Sequence, residues 1–258
     1  MGIARGCARL LLNEYKKKEF SGSVLQLGRQ TFYFSMEDLQ QWAKLHDVPL
    51  RDIPSSLPNM GNAVIDDMSF FSALGFSSIQ SCDVSDYEGC TYMLDLNLPV
   101  PESLHSRYDL IYDGGTMEHI FNLPMVLKNI HLMLKPGGRI IHASPSTNHV
   151  DHGFFMFSPT LFHDYYSLNR YRIDTSYIVT YTPQYIVDPW QIFYYEPGSL
   201  DEFACGGFDK GFMLGIWFAA TKTDESVTGL IPQQGYYRSR ASASEKRNPL
   251  PVTFYAEY

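Results

Sequence analysis

Short apolar runs alternate with segments of helical periodicity between residues 4 and 145. An apolar run that stops at glycine or aspartate is typical of a buried parallel strand. Apolar residues three and four positions apart are typical of an amphipathic helix. The apolar runs predict strands at 24–28, 77–83, 91–94, 108–112 and 139–143. The helical spacing predicts helices at 4–18, 36–48, 66–74 and 125–134.

This alternation predicts an α/β fold. Helices that connect successive strands indicate a mostly parallel sheet with helices on both faces. The last third of the chain differs, because Gln191–Tyr195 is strand-like and Gly211–Thr221 is a strongly apolar run. These two segments are predicted to form an antiparallel pair that completes the sheet.

The length of 258 residues is enough for one sizeable core. We expect a single domain over residues 1–222 and a loosely ordered tail over 223–258, which is rich in Ser, Arg, Gln and Pro. Segment 31–62 is broken up by prolines and has too few apolar residues for a core of its own. It is therefore interpreted as an insertion or a lid.

Composition and charge exclude several classes of protein. A formal net charge of −8 argues against a broad nucleic-acid surface, because phosphate binding needs clustered Lys and Arg. Four cysteines without a CxxC pair predict neither a disulfide framework nor a zinc motif. The apolar run near the N-terminus is too short to span a membrane. We therefore expect a soluble, cytoplasmic protein with no nucleic-acid or membrane partner.

Polar and small residues mark the carboxyl ends of four predicted strands. These residues are Gly28, Asp83, Asp95 and Asp113. In an open parallel sheet the ligand lies across these ends, near the point where the strand order reverses. A glycine allows close backbone approach, and carboxylates can accept hydrogen bonds from ribose hydroxyls or an adenine amine. Aspartates at strand ends are also common turn formers and helix caps, so each alone has a structural alternative.

The block Tyr108–Ile120 (YDLIYDGGTMEHI) followed by Leu134–Ile141 (LKPGGRII) resembles the fourth and fifth motifs of class I S-adenosylmethionine-dependent methyltransferases, especially the type 11 group. The resemblance covers about residues 21–145. It implies a Rossmann-like, seven-stranded, mostly parallel sheet with an antiparallel final strand, and S-adenosylmethionine as the cofactor across the strand ends.

The resemblance also assigns cofactor-binding residues. It implies a glycine loop at Leu27, Gly28 and Arg29. It implies a ribose position at Asp83 with Val84, and an adenine position at Asp95 with Leu96. It places Asp113, Gly114 and Gly115 in the wall near the methionine moiety, and His119 is a further cofactor-facing candidate with a capping role as its alternative.

The glycine loop departs from the family pattern at Arg29, where a small residue is expected. Arg29 could pair with the cofactor carboxylate through a bidentate contact. It could equally occlude the site, so both alternatives stay open.

A second group of candidate residues follows the fifth strand, in the segment 146–176 where the family layout places the acceptor. His149 and His152 are candidate general bases, and Asp151 is a candidate for orienting them. These residues could also be purely structural. No metal site is predicted, because the His149–His152 spacing lacks an assured third ligand.

The leading hypothesis is a methyltransferase of small-molecule biosynthesis that acts on oxygen of a small or carbohydrate-like acceptor, with a homodimer as one possible assembly. The alternative is a methyltransferase-like binding or regulatory protein whose altered loop has lost the cofactor. A nicotinamide enzyme is disfavoured, because the GxGxxG fingerprint is missing after the first strand.

Overall fold

The computed structural model describes residues 2–52, 64–200, 211–235 and 253–258. Its α-helices are α1 (Arg5–Lys17), α2 (Met36–His46), α3 (Asp67–Ala73), α4 (Leu123–Met133) and α5 (Pro159–Leu168). Its strands are β1 (Gly22–Leu27), β2 (Phe76–Asp83), β3 (Tyr92–Met93), β4 (Tyr108–Asp113), β5 (Leu134–Pro145), β6 (Arg172–Tyr181), β7 (Gln191–Tyr194), β8 (Met213–Thr221) and β9 (Thr253–Glu257). Two short 3-10 helices cover Glu102–Leu104 and Met117–His119.

The strands form one sheet in the order β3-β2-β1-β4-β5-β8-β6-β7-β9. The first five strands in this order run parallel. The order 3-2-1-4-5 is that of a Rossmann-like sheet, whose strand order reverses between β1 and β4. Strand β8 is antiparallel to both β5 and β6. The predicted Rossmann-like, mostly parallel sheet with an antiparallel strand is confirmed, but the described residues form nine strands and not the expected seven, with β7 and β9 added at one edge.

Two apolar cores lie on opposite faces of the sheet. Neighbouring strand residues point to opposite faces, so Val24 packs in one core and Leu25 in the other. Residues of α1, α2 and α3 cover the first face, and residues of α4 and α5 cover the second. In the described ranges, every helix is too short or too polar to cross a membrane.

Local sequence signals explain where two of the helices begin and end. Ser35 and Asp38 form a capping box at the start of α2, in which the Ser35 Oγ accepts from the Asp38 N–H at 3.2 Å and the Asp38 carboxylate accepts from the Ser35 N–H at 2.8 Å. Gly75 follows α3 with a φ of 101°, a conformation that favours glycine. Both boundaries lie within one residue of the predicted ranges 36–48 and 66–74.

The predicted antiparallel pair of β7 and β8 is wrong. Strand β6 lies between them and pairs with both. The sequence analysis predicted no strand in this part of the chain, whereas Arg172–Tyr181 is a continuous strand. Strand β7 pairs instead with β9 on its other side.

The described part of the 31–62 segment is built into the first core. Leu39 and Ala43 of α2 are buried, and Phe34 contacts Trp42 and Phe70 through edge-on ring contacts. Residues 53–62 lie outside the described residues. The described part of this segment therefore packs on the first core, and its interpretation as an insertion or a lid stays a prediction.

The end of the C-terminal segment is ordered, contrary to the expected loose tail over 223–258. Strand β9 pairs with β7, and Tyr258 exchanges backbone hydrogen bonds with Trp190 at 2.7 and 2.5 Å. The Asn13 side chain donates to the Tyr258 hydroxyl at 2.5 Å, and the Arg9 guanidinium lies over the Tyr258 ring. The polar composition of the preceding residues concealed the strand pattern of the last six.

Candidate functional site

Gly28 and Asp83 meet where β1 and β2 end. Gly28 has a φ of 68°, which favours glycine, and its N–H donates to the Cys82 carbonyl at 2.8 Å. A Cβ on Gly28 would lie 2.7 Å from Thr116 Oγ1 and 3.8 Å from Asp83 Oδ2. Asp83 Oδ1 accepts from the Ser85 N–H at 3.2 Å, whereas Oδ2 has no donor among the described residues. The carboxylate therefore keeps one oxygen free beside the glycine.

A second carboxylate follows the end of β3, next to β2. Asp95 is exposed, and its Oδ1 accepts from the backbone and side-chain nitrogens of Asn97 at 2.9 and 2.8 Å. Val84 is 73% exposed, whereas Leu96 is buried in the second core. Asp83, Val84 and Asp95 are thus open to a ligand, and the Leu96 side chain is part of the core.

Arg29 is already engaged by protein groups. Its guanidinium contacts both carboxylate oxygens of Asp67 at 3.0 and 3.1 Å. Its remaining nitrogen donates to the carbonyls of Glu88 and Gly89 at 3.1 and 3.2 Å. The Asp67 contact raises the pKa of Arg29. Because these groups use all the guanidinium nitrogens, the proposed pairing of Arg29 with a cofactor carboxylate is not supported.

Gln30 occupies the space behind the β1 loop. Its side-chain nitrogen donates to the carbonyls of Leu27 and Gly28, both at 3.1 Å. A Cβ on Gly114 would overlap Gln30 Oε1, and Gly115 has a φ of 88°. The loop after β1 and the turn after β4 therefore touch through the Gln30 side chain. The Leu27 side chain is fully buried, so only its backbone reaches this loop.

Asp113 is the first member of a buried polar chain. Its Oδ1 accepts from the backbone N–H groups of Thr116 and Met117 at 3.0 and 3.2 Å. Its Oδ2 contacts His142 Nδ1 at 2.8 Å, and His142 Nε2 contacts the Tyr166 hydroxyl at 2.8 Å. Both carboxylate oxygens thus have protein partners, and the geometry supports a structural role for Asp113 beside β5 and α5.

Four titratable side chains, Glu118, His119, His149 and His152, form what we term the histidine cluster. Glu118 Oε1 lies 3.3 Å from His152 Nε2 and 3.8 Å from His119 Nε2. The rings of His119 and His149 lie 5.0 and 5.7 Å from that of His152. Glu118 is fully buried, whereas the His119 side chain is 46% exposed. Predicted as cofactor-facing, His119 instead contacts the segment that carries the two candidate bases.

Backbone contacts hold the two halves of the cluster together. The Glu118 carbonyl, in the 3-10 helix after β4, accepts from the N–H groups of Phe154 and Phe155 at 2.8 and 3.2 Å. A Cβ on Gly153 would lie 2.9 Å from the same carbonyl and 3.0 Å from Glu118 Cγ. The close approach of the loop after β5 therefore requires a glycine at this position.

Burial sets the protonation state of the cluster. Burial, with a smaller contribution from the Asp113 charge, raises the pKa of Glu118 to about 8. Burial and the neighbouring His152 lower the pKa of His149 to about 4. Burial also lowers the pKa of His119 and that of His152. The cluster at neutral pH is therefore a set of largely uncharged groups with imidazole lone pairs.

Asp151 does not orient the histidines. It is exposed with a φ of 66°, and none of its contacts within the described ranges is a hydrogen bond or ion pair to His149 or His152. His149 Nε2 instead contacts the Tyr181 hydroxyl at 3.0 Å, and His152 faces Glu118. The expected orienting role is not supported, because the Asp151 side chain is exposed and contacts neither histidine among the described residues.

A small cavity of about 20 Å³ lies beside the cluster, between α1 and the ends of β4, β5 and β6. Its walls include the aromatic side chains Tyr112, Tyr181, Tyr185, Trp190 and Trp217. Tyr181 belongs to the cavity wall and also contacts His149. This tyrosine therefore links the aromatic cavity with the histidine cluster.

Sequence reasoning missed Glu118, His142, Tyr166 and Tyr181 as members of these networks. The partners of His142 and Tyr181 lie 24 to 32 positions away in the chain, so no local spacing connects them. Glu118 was visible beside His119 in the quoted motif. Nothing in the spacing of that motif connected Glu118 with His152, which lies in the loop after β5.

No model of a protein family matches the chain, and no curated protein matches it. Solved structures do resemble it. The trans-methyltransferase CalH in complex with S-adenosylhomocysteine is 14% identical, with a TM-score of 0.44 over 83% of this chain and 55% of its own. The YcgJ protein of Bacillus subtilis is 10% identical, with a TM-score of 0.44 over 84% and 98%.

A third similar structure is phosphoethanolamine N-methyltransferase 2 of Haemonchus contortus. It is 11% identical, with a TM-score of 0.42 over 84% of this chain and 53% of its own. The chain thus spans about half the length of two of these three proteins. Since all three TM-scores are below 0.5, the fold assignment rests on the strand order and not on these structures.

Proposed function

We propose that the protein is an S-adenosylmethionine-dependent methyltransferase that acts on oxygen of a small or carbohydrate-like acceptor. The observation that carries the proposal is that Gly28 and the free carboxylate oxygen of Asp83 lie side by side at the carboxyl ends of β1 and β2. These strands adjoin the point where the sheet order reverses, which is where nucleoside ligands bind in such folds.

The carboxylates after β2 and β3 fit a nucleoside. Asp83 Oδ2 can accept from ribose hydroxyls, and the free oxygen of Asp95 can accept from an adenine amine. Gly28 supports the proposal because its lack of a side chain allows a ligand to approach the backbone. When bound, S-adenosylmethionine supplies an electrophilic methyl group that leaves its sulfur for the acceptor oxygen.

We place the acceptor at the histidine cluster, and His149 and His152 remain the proposed proton acceptors. Low pKa values leave both imidazoles neutral, with a lone pair available at neutral pH. The Tyr181 hydroxyl in the cavity wall can take a proton from an acceptor hydroxyl and pass its own to His149 Nε2. Glu118 replaces Asp151 as the carboxylate beside His152.

Further parts of the proposal are supported by composition. The net charge of −8 favours a small-molecule acceptor over nucleic acid. Cys7, Cys82 and Cys90 are free thiols, which is consistent with a cytoplasmic location. A homodimer remains part of the proposal, and size measurement in solution tests it.

A second function is favoured by the β1 loop itself. Arg29 bridges Asp67 and the β2–β3 loop, and Gln30 fills the space behind Gly28. A loop closed by its own side chains is compatible with a methyltransferase-like binding or regulatory protein that has lost the cofactor. Cofactor binding distinguishes the two functions.

The deciding experiment is calorimetric titration of the full chain with S-adenosylmethionine and S-adenosylhomocysteine. We expect binding in the micromolar range and a weakening of roughly 10- to 100-fold in Asp83→Asn, because one charged hydrogen-bond acceptor is lost. Asp224→Asn is the matched control, since Asp224 is exposed just after β8, at the opposite edge of the sheet. Absence of binding by the wild-type chain would refute the methyltransferase proposal and favour the second function.

A further inference from the structure

We propose that Glu118, His119 and His152 form a binding site for a divalent first-row transition metal ion, such as Zn²⁺. Their ligand atoms all lie within 4.8 Å of one another. Two imidazoles and one carboxylate are a ligand set that such ions take in proteins, with further positions open to water or substrate.

The distances suit one shared ion. Glu118 Oε1 is 3.3 Å from His152 Nε2 and 3.8 Å from His119 Nε2. Ligands about 2.0–2.2 Å from a tetrahedral ion lie about 3.3–3.6 Å apart, so small side-chain rotations are enough to bring the three atoms to bonding distance. The backbone between the two segments is already fixed by the bonds from Phe154 and Phe155 to the Glu118 carbonyl.

The Glu118 carboxyl group is an independent sign of a ligand. It is fully buried, and neither oxygen has a hydrogen-bond partner among the described residues. Buried polar atoms without partners are rare in folded proteins, because each costs about 1–3 kcal/mol. Both oxygens of Glu118 are therefore costly to the fold unless a hydrogen-bond donor or a cation approaches them.

A simple ion pair between Glu118 and His152 does not explain the arrangement. The two atoms are close, but His152 Nε2 is also without a hydrogen-bond partner within the described ranges. No lysine or arginine forms an ion pair with Glu118 in that part of the chain. A bound cation would satisfy the carboxylate and both imidazole nitrogens together.

The composition of the site selects the kind of metal. Imidazole nitrogens suit Zn²⁺, Co²⁺, Ni²⁺ and Fe²⁺, whereas Mg²⁺ and Ca²⁺ prefer oxygen ligands. The partly exposed His119 provides a path for the ion to enter. The nearby His149 is outside the ligand set, because its Nε2 contacts Tyr181.

The proposal that a metal binds here does not depend on the proposed methyltransferase function. A catalytic role for the metal does rest on that proposed function. An acceptor oxygen on the open positions would lose its proton more easily, because a bound cation stabilises the oxyanion. With His152 on the metal, His149 is left as the proton acceptor through Tyr181.

The test is direct metal binding by the tag-free, full-length chain after treatment with a chelator. Titration with Zn²⁺ by calorimetry, and with Co²⁺ by its visible absorption, should give one equivalent bound with a dissociation constant of about 1 μM or tighter. Glu118→Gln and His119→Gln should each weaken binding roughly 100-fold or more. Millimolar Mg²⁺ should not displace Co²⁺.

His163→Gln is the matched control, because His163 lies 3.7 Å from the Asp164 carboxylate but is outside the three-residue cluster. It should bind metal as the wild type does. Far-ultraviolet circular dichroism confirms that each variant is folded. Because the His119 side chain is partly exposed, His119→Gln should disturb the fold least. Failure to bind one equivalent, or binding unchanged in both cluster variants, overturns the metal site. Neither result bears on cofactor binding, which is measured separately.

Discussion

Two glutamates, Glu14 in α1 and Glu118 after β4, are both fully buried, yet their surroundings are opposite. Glu14 accepts hydrogen bonds from Arg139, from Lys17 at 3.0 Å and from Thr175 at 2.5 Å. Glu118 has no hydrogen-bond partner among the described residues and faces imidazoles instead. The Glu14 carboxylate is enclosed by hydrogen-bond donors, including Arg139 of β5. The Glu118 carboxylate, at the carboxyl ends of the parallel strands, has no hydrogen-bond partner among the described residues.

The difference separates a structural charge from a candidate functional one. A buried charge that is fully paired and hydrogen-bonded is compatible with stability, and removal of its partner is costly. A buried polar group without a partner weakens the fold, and such groups concentrate at functional sites. The contrast between Glu14 and Glu118 can be tested by the same substitution at both positions.

The largest effect is expected from Glu14→Gln. The change leaves the Arg139 guanidinium, which is 3% exposed, without its main carboxylate, although Asp174 Oδ2 remains 3.5 Å from its Nε. Breaking a buried pair in this way lowers the free energy of unfolding by about 3 kcal/mol. Urea denaturation followed by circular dichroism measures it.

A surface pair provides the control for that prediction. Lys135 and Asp109 are 2.7 Å apart, but both side chains are more than a third exposed. Lys135→Gln should therefore change the free energy of unfolding by no more than about 1 kcal/mol. Equal losses in Glu14→Gln and Lys135→Gln would contradict the structural role assigned to Glu14.

Most of the fold could be predicted because its signals are local. Runs such as Val24–Leu27 and the capping residue Ser35 specify a strand and a helix start within a few positions. The Glu14 network could not be predicted in the same way, because Arg139 and Thr175 lie 125 and 161 positions away. The placement of β6 between β7 and β8 was missed because Arg172–Tyr181 was not recognised as a strand.

An intermediate effect is expected from Asp113→Asn. An amide keeps one oxygen for the N–H groups of Thr116 and Met117 but presents a donor to His142 Nδ1, where the carboxylate accepts. The histidine must then change tautomer or lose a bond, at a cost of about 1–3 kcal/mol. Thermal unfolding and urea denaturation measure the loss, and an unchanged stability would refute the buried chain from Asp113 to Tyr166.

The candidate site was only partly predictable. The positions of Gly28, Asp83 and Asp95 could be predicted because each lies at or shortly after the end of a strand. The carboxyl ends of parallel strands lie at one edge of the sheet. Asp151 was chosen because it adjoins His152 in the chain, but its side chain is exposed and makes no hydrogen bond or ion pair to the histidines among the described residues. Glu118 reaches His152 only because the loop after β5 folds back onto the 3-10 helix, a contact that no spacing in the sequence records.

The smallest effect on stability is expected from Glu118→Gln, although it is the same substitution as at Glu14. The amide has nearly the same shape, and no donor within the described ranges loses an acceptor when the carboxylate is replaced. Since burial already favours the protonated carboxyl group, exchanging it for another uncharged group should change the free energy of unfolding by no more than about 1 kcal/mol.

Urea denaturation in the presence of a chelator isolates this effect from any bound metal. A loss as large as that in Glu14→Gln would mean that Glu118 has a structural donor after all, and the contrast between the two ends of the sheet would be wrong. A small change together with lost metal binding would instead identify a carboxylate that the fold retains for a ligand.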